Sequence, residues 1–371
     1  MKFLHIIILT ACSLLIARDG ISAQITTLDL DTKTSPASTL GAETDSSHDP
    51  AQAASMPIDS SHLLVREAAH WANYKKSLRN HSSQHMASAE ELESAMMDFA
   101  RYDGARIAKG WMADSALIAL QTPEYFLGVR YWQNTYGRKA VLDRLHQNPM
   151  AAFQFPGAEQ AQNAILRSGM KDANEIKLGG ALFKEQAYSM QKQSWANKKQ
   201  GGKNFRLDAI KLAPNSPAPL DNNDLQMLAS SAMSLFNDPN ISAAKTSSFA
   251  SNLSLGPSAA LADTFAPGQD LKLAPGRSLT MAHILGMAAL VILDDPQEPS
   301  NKDQHFQYWI DDPELRECID WSRVHLRQCV SAGHFVFESS FCIAEHQLID
   351  AGKCIGSIAA GNKDPHQQEQ H

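Results

Sequence analysis

Beyond residue 17 no apolar run approaches the roughly 20 residues that a helix needs to span a bilayer. The best candidate, Ile284 to Leu293, is ten residues long, with His283 before it and Asp294 after it. There is no alternating strand pattern and no repeat of fixed period. A Gly-x-Ser-x-Gly elbow, a His-Glu-x-x-His pair and a phosphate-cradling glycine loop are also missing. Basic residues are in the minority, 33 Lys and Arg against 40 Asp and Glu, so the chain offers no basic face for nucleic acid. Cysteine is scarce at five residues. These absences exclude a membrane-spanning bundle and leave an all-α class.

The few cysteines are placed with order. Cys318 and Cys354 have residue numbers adding to 672, and Cys329 and Cys342 add to 671, so both pairs share a midpoint near Val336. Equal sums are what two antiparallel arms joined by a bend produce. Leu315, Cys318, Ile319, Ser322, Leu326 and Cys329 fall on one helix face, Gly333 is a natural stop, and Phe337, Phe341, Leu348 and Ile349 open a second apolar face. Eleven helical residues separate Cys318 from Cys329 by about 16 Å. A disulfide needs Cα atoms within about 7 Å. The expected pairing is therefore nested, Cys318–Cys354 with Cys329–Cys342. Gaps of eleven and twelve residues do not match structural zinc sites. An irregular helical bundle with a disulfide-stapled C-terminal hairpin, folded in an oxidising compartment, is the expectation.

The N-terminus agrees. Lys2, the apolar stretch Phe3 to Ala17 and the small residues Ser22-Ala23 read as a signal peptide over residues 1–23, cleaved before Gln24. A competing reading takes Leu9-Thr10-Ala11-Cys12 as a lipobox, although Ser13 to Ala17 stays apolar after the cysteine. Cleavage removes Lys2, Arg18 and Asp19 and takes the net charge from −7 to −8. Four cysteines then remain, an even number that favours two bridges.

Along the chain, residues 24–60 read as a disordered acidic leader and 61–200 as a helical domain. Residues 201–277 read as a connector with one short helix and a long linker, 278–358 as C-terminal helices with the four-cysteine hairpin, and 359–371 as a disordered tail. Residues 88–121 carry a single helical stripe. Thr122-Pro123-Glu124 and Asp312-Pro313-Glu314 are cap, proline and acid starts. Ser278 is placed to cap a helix over Leu279 to Leu293. Gly179-Gly180 is expected to kink or break the long pattern from Gly157 to about Lys199, or to admit a neighbouring helix.

Candidate chemistry is sparse. Asp103 and Arg106 share a stripe three residues apart, suiting a partly buried ion pair. His81 and His85 are spaced as helical metal ligands, but their polar surroundings suit a solvated helix end. Glu67 and His70 form one Glu-x-x-His element, where di-iron bundles need two. Glu338-Ser339-Ser340-Phe341 resembles the catalytic Glu-Ser motif of lytic transglycosylases, which act on peptidoglycan. The resemblance stops there, because Cys342 follows and the family's downstream Gly-Leu-Met-Gln segment is missing.

Lys109-Gly110-Trp111-Met112-Ala113, Gln121-Thr122-Pro123-Glu124, Gly128-Val129-Arg130 and Tyr136-Gly137-Arg138 resemble segments of exported helical proteins of Gram-negative bacteria without known activity. That resemblance implies export and helicity only. The expected function is a periplasmic, non-catalytic binding or scaffolding protein with a cell-envelope protein or polymer as partner. No catalytic residue, cofactor or metal ligand set is expected. The alternative is a cell-envelope hydrolase, for example peptidoglycan-acting, with an acidic site near Glu338 or near Asp103 and Arg106.

Overall fold

The computed structural model divides the chain into residues 1–53 and a second unit, residues 54–371. It describes residues 58–199, 201–239, 241, 271–294 and 302–361, all within the second unit. The signal peptide, Cys12, most of the leader, much of the long linker and the tail beyond residue 361 lie outside the described residues.

The described residues are helical, with two isolated bridges, Lys199 with Phe335 and Leu273 with Ala359, in place of any strand. In chain order the helices are α1 (Leu63–Ser83), α2 (Ala89–Ala100), α3 (Gly104–Leu120), α4 (Pro123–Tyr136), α5 (Arg138–Gln147), α6 (Ala158–Met190), α7 (Lys203–Leu212) and α8 (Asn222–Ala232). Then come α9 (Ser278–Ile292), α10 (Lys302–Trp309), α11 (Pro313–Ala332), α12 (Glu338–Cys342), a π-helical segment (Ile343–Ile349) and α13 (Asp350–Gly356). Segments 61–200 and 278–358 share one hydrophobic core.

Local chemistry accounts for several boundaries. Asp312 accepts from the Leu315 N–H (2.8 Å) and starts α11 as expected. The stripe over 88–121 is two helices rather than one. Asp103 leaves helical geometry to cap α3, accepting from the Arg106 N–H (2.7 Å), and Tyr102 sinks into the core beside it. Thr122 precedes α4, but its hydroxyl donates back to the Ile118 carbonyl (3.1 Å) instead of capping. The cap position of α9 is Arg277, one residue before Ser278, and no side chain closes it. Helix α7 forms where the sequence suggests only connector.

Helix α6 runs 33 residues through Gly179-Gly180 without a break. The reason is packing. A Cβ on Gly179 would overlap Leu78 of α1, and one on Gly180 would lie 2.8 Å from the Ala344 carbonyl oxygen of the π segment. Two elements therefore approach α6 where it has no side chains. Helix α9, with every residue from Thr280 to Ile292 buried, fills the other side of the bundle. That burial explains its uninterrupted apolar run, and no helix among the described residues is long and apolar enough to cross a membrane.

Candidate functional site

The hairpin closes as the nested numbering requires. Cys318 and Cys354 bond with Cα atoms 5.8 Å apart, and Cys329 and Cys342 with Cα atoms 5.6 Å apart. Cys318, Cys342 and Cys354 are buried. The Gly333 N–H donates to the Cys329 carbonyl (3.0 Å) as α11 ends. Glu338 then fastens the bend, its carboxylate accepting from the backbone N–H groups of His334 and Phe335. That is the work of a turn cap, and it occupies the carboxylate the transglycosylase resemblance singles out.

Polar side chains tie the hairpin into the core by bonding backbone carbonyls. The Tyr74 hydroxyl donates to Gln347 (3.2 Å), Gln347 Nε2 to Met96 (3.2 Å), Ser340 to Phe183 (2.8 Å) and Arg323 to Phe99 (2.8 Å). Burial pushes the Tyr74 phenol well above its ordinary value, so it stays a neutral donor.

Between the two bridges the fold assembles a group that the sequence reading misses. His325 of α11, His346 of the π segment and Asp350 of α13 place ligand-type atoms all within 4.8 Å of one another. His346 Nδ1 lies 2.9 Å from Asp350 Oδ2, and Lys353 Nζ donates to Asp350 Oδ1 (3.1 Å). The His325 and His346 rings meet edge to face with centroids 5.7 Å apart. Asp350 is buried and both imidazoles are half-buried. Burial alone raises the Asp350 carboxyl, but the bonds from His346 and Lys353 outweigh it and hold the group below its ordinary value. A signal was present: the numbers of His325 and His346 also add to 671, the register of the inner bridge.

A second polar group sits where α1, α3 and α6 meet. Lys75 Nζ lies 3.0 and 3.2 Å from the two carboxylate oxygens of buried Asp172, and Trp71 Nε1 donates to Oδ2 of the same carboxylate (3.2 Å). Half-buried Asp114 faces this pair. Burial, opposed by the Lys75 charge and reinforced by Asp172, pushes its carboxyl up to about 6. An acid raised in the folded state contributes stability below its unfolded value near 3.8, and that contribution is lost as pH rises through about 6. Asp114→Asn is therefore expected to raise stability at pH 7 by about 1–3 kcal/mol relative to its effect at pH 4. Urea midpoints of both proteins at the two pH values check this, and an unchanged difference refutes it.

The remaining candidates are structural or scattered. Arg106 turns from Asp103 and donates to the carbonyls of Arg101 and Pro214, so the expected ion pair is a helix cap plus a loop tie. His81 pairs with Asp98 (2.9 Å), whereas His85 is exposed beyond the end of α1, so the two share no site. Glu67 and His70 are half-buried on α1. Burial raises the Glu67 carboxyl, and burial with the Arg106 and Arg66 charges lowers the His70 imidazole. Comparison of the chain with protein-family models, with curated proteins and with solved structures yields no match.

Proposed function

We propose that this is an exported, disulfide-clamped helical protein that works in the cell envelope by binding or scaffolding a partner rather than by turnover. The observation that carries the reading is the doubly bridged hairpin, whose disulfides need an oxidising compartment to form and persist. Helix α7 supports the binding half. It buries Arg206 and Ile210 and turns Phe205 and Leu212, 72% and 63% exposed, outward two turns apart.

Expressed with its own first 23 residues in a Gram-negative host, the protein should enter the periplasmic fraction with no cysteine open to thiol labelling. A photo-crosslinking residue at Phe205 or Leu212 should trap a discrete adduct in intact cells, absent when the crosslinker replaces an exposed polar residue such as Lys203. Free thiols in a cytosolic product overturn the export reading. Identical trapping at all three positions overturns the binding face.

A second reading, a hydrolase acting on an envelope polymer, is favoured by one observation, the raised carboxyl of Asp114 beside Asp172 and Lys75. Under that reading the purified protein releases soluble fragments from peptidoglycan, and Asp114→Asn stops the release.

A further inference from the structure

We propose that His325, His346 and Asp350 hold a divalent late transition-metal ion, with Zn²⁺ as the probe, clasping the two arms of the hairpin between its disulfides. The donor set fits such an ion. Two imidazole nitrogens and one carboxylate oxygen suit Zn²⁺ and its neighbours, and three protein ligands leave a position for water. Bonds of about 2.0–2.2 Å put tetrahedral neighbours about 3.4 Å apart. The 4.8 Å spread of the present atoms thus needs only modest side-chain adjustment to close.

The three donors come from both arms of the hairpin. His346, Asp350 and Lys353 lie at helical spacings and by themselves read as a helix ion-pair network. His325 does not belong to that network by sequence. It comes from the opposite arm, carried on the stripe Cys318, Ser322, His325, Cys329 that faces the second arm.

The bridges also preorganise the cluster. His325 and His346 each lie four residues from a cysteine of the inner bridge, and His325 lies seven from Cys318 while His346 lies eight from Cys354. Covalent bonds therefore fix the spacing of the two arms on both sides of the cluster. An ion entering there orders side chains and not backbone, which lowers the entropy opposing binding. Lys353 is the built-in competitor. Its ammonium holds one oxygen of Asp350, yet its side chain is 43% exposed and free to swing into water.

The test uses the full oxidised chain, stripped with chelator and titrated with Zn²⁺ by calorimetry and with Co²⁺ by visible absorption. One equivalent should bind with a Kd of about 1 μM or tighter, and Co²⁺ should develop a ligand-field band. His325→Gln and His346→Gln should each weaken binding at least about tenfold and remove the band, while the metal-free melting curve is preserved by the bridges. Lys353→Met should tighten binding. Undiminished binding in both glutamine variants, which would place the ion elsewhere on the chain, overturns the proposal, as does the absence of binding at tens of micromolar Zn²⁺. If a glutamine variant loses its metal-free fold, Asp350→Asn and Lys353→Met decide alone. Weaker binding in the first with tighter binding in the second supports the site, and no change in either removes it.

Discussion

Replacing both cysteines of the outer bridge with alanine is expected to lower stability by about 3.5 kcal/mol, and doing the same to the inner bridge by about 2.5 kcal/mol. The ranking follows from chain entropy. Cys318 and Cys354 are 36 residues apart and Cys329 and Cys342 only 13, so the outer bond removes more freedom from the unfolded chain. Each variant keeps the other bond, which shortens the loop that remains to be closed, so each share is about 0.4 kcal/mol below that of an isolated loop of the same length. Packing adds in the same direction. Both outer cysteines are buried, whereas Cys329 is half-exposed. Alanine at the outer pair therefore also leaves an unfilled space in the core. Urea unfolding of the two double variants decides the matter. An inner-bridge variant less stable than the outer-bridge one, or losses below about 1 kcal/mol in both, contradicts the entropic account.

The nested pairing was legible in the sequence because antiparallel arms impose a simple relation on residue numbers, independent of everything else in the fold. Starts such as Asp312-Pro313-Glu314 were legible for a different reason, since a cap bonds a backbone N–H three residues away and needs no distant partner. The errors lie where distant contacts decide. Continuity through Gly179-Gly180 depends on Leu78 and the π segment packing there, and no local preference reports that. The break at Arg101–Asp103 is hidden because the helical spacing of the stripe runs on through Asp103 and Arg106, and Tyr102 between the two helices is itself a core residue. Helix α7 was missed because its apolar residues are split between a buried side and an exposed one.

The His325–His346–Asp350 group stands between these cases. Its three residues are scattered over 26 positions, and no metal motif has that spacing. Once the bridges define the register, however, the same number sum places His325 opposite His346. The relation that antiparallel arms impose on cysteine holds for every residue type in them. Asp114 was not legible at all, because its raised carboxyl depends on α1 and α6 converging on α3.

Gly128→Ala and Gly157→Ala are each expected to destabilise the protein by at least about 3 kcal/mol, more than almost any other single exchange of so few atoms. The two glycines form one reciprocal contact. A Cβ on Gly128 of α4 would overlap the Pro156 carbonyl oxygen, and a Cβ on Gly157 would overlap the backbone of Glu124 and Tyr125 in the first turn of the same helix. Every obstructing atom is backbone, so no rotamer change relieves the clash, and either the helix or the bend before α6 must move. Gly157 carries a second penalty, because its φ of +83° is left-handed and costs an L-residue about 1–2 kcal/mol. Gly202 supplies the control. Its φ of +70° and ψ of 28° are left-handed like those of Gly157, and an added Cβ would meet only Phe205 Cβ at 3.9 Å, an ordinary contact, so Gly202→Ala should lose only that backbone share. Because Gly128 and Gly157 belong to one contact, the double variant should lose clearly less than the sum of the two singles. Denaturant melts of the four variants test this directly. A Gly128→Ala protein no less stable than Gly202→Ala means that α4 does not press against the Pro156–Gly157 bend, and strictly additive losses mean that the two glycines serve separate contacts.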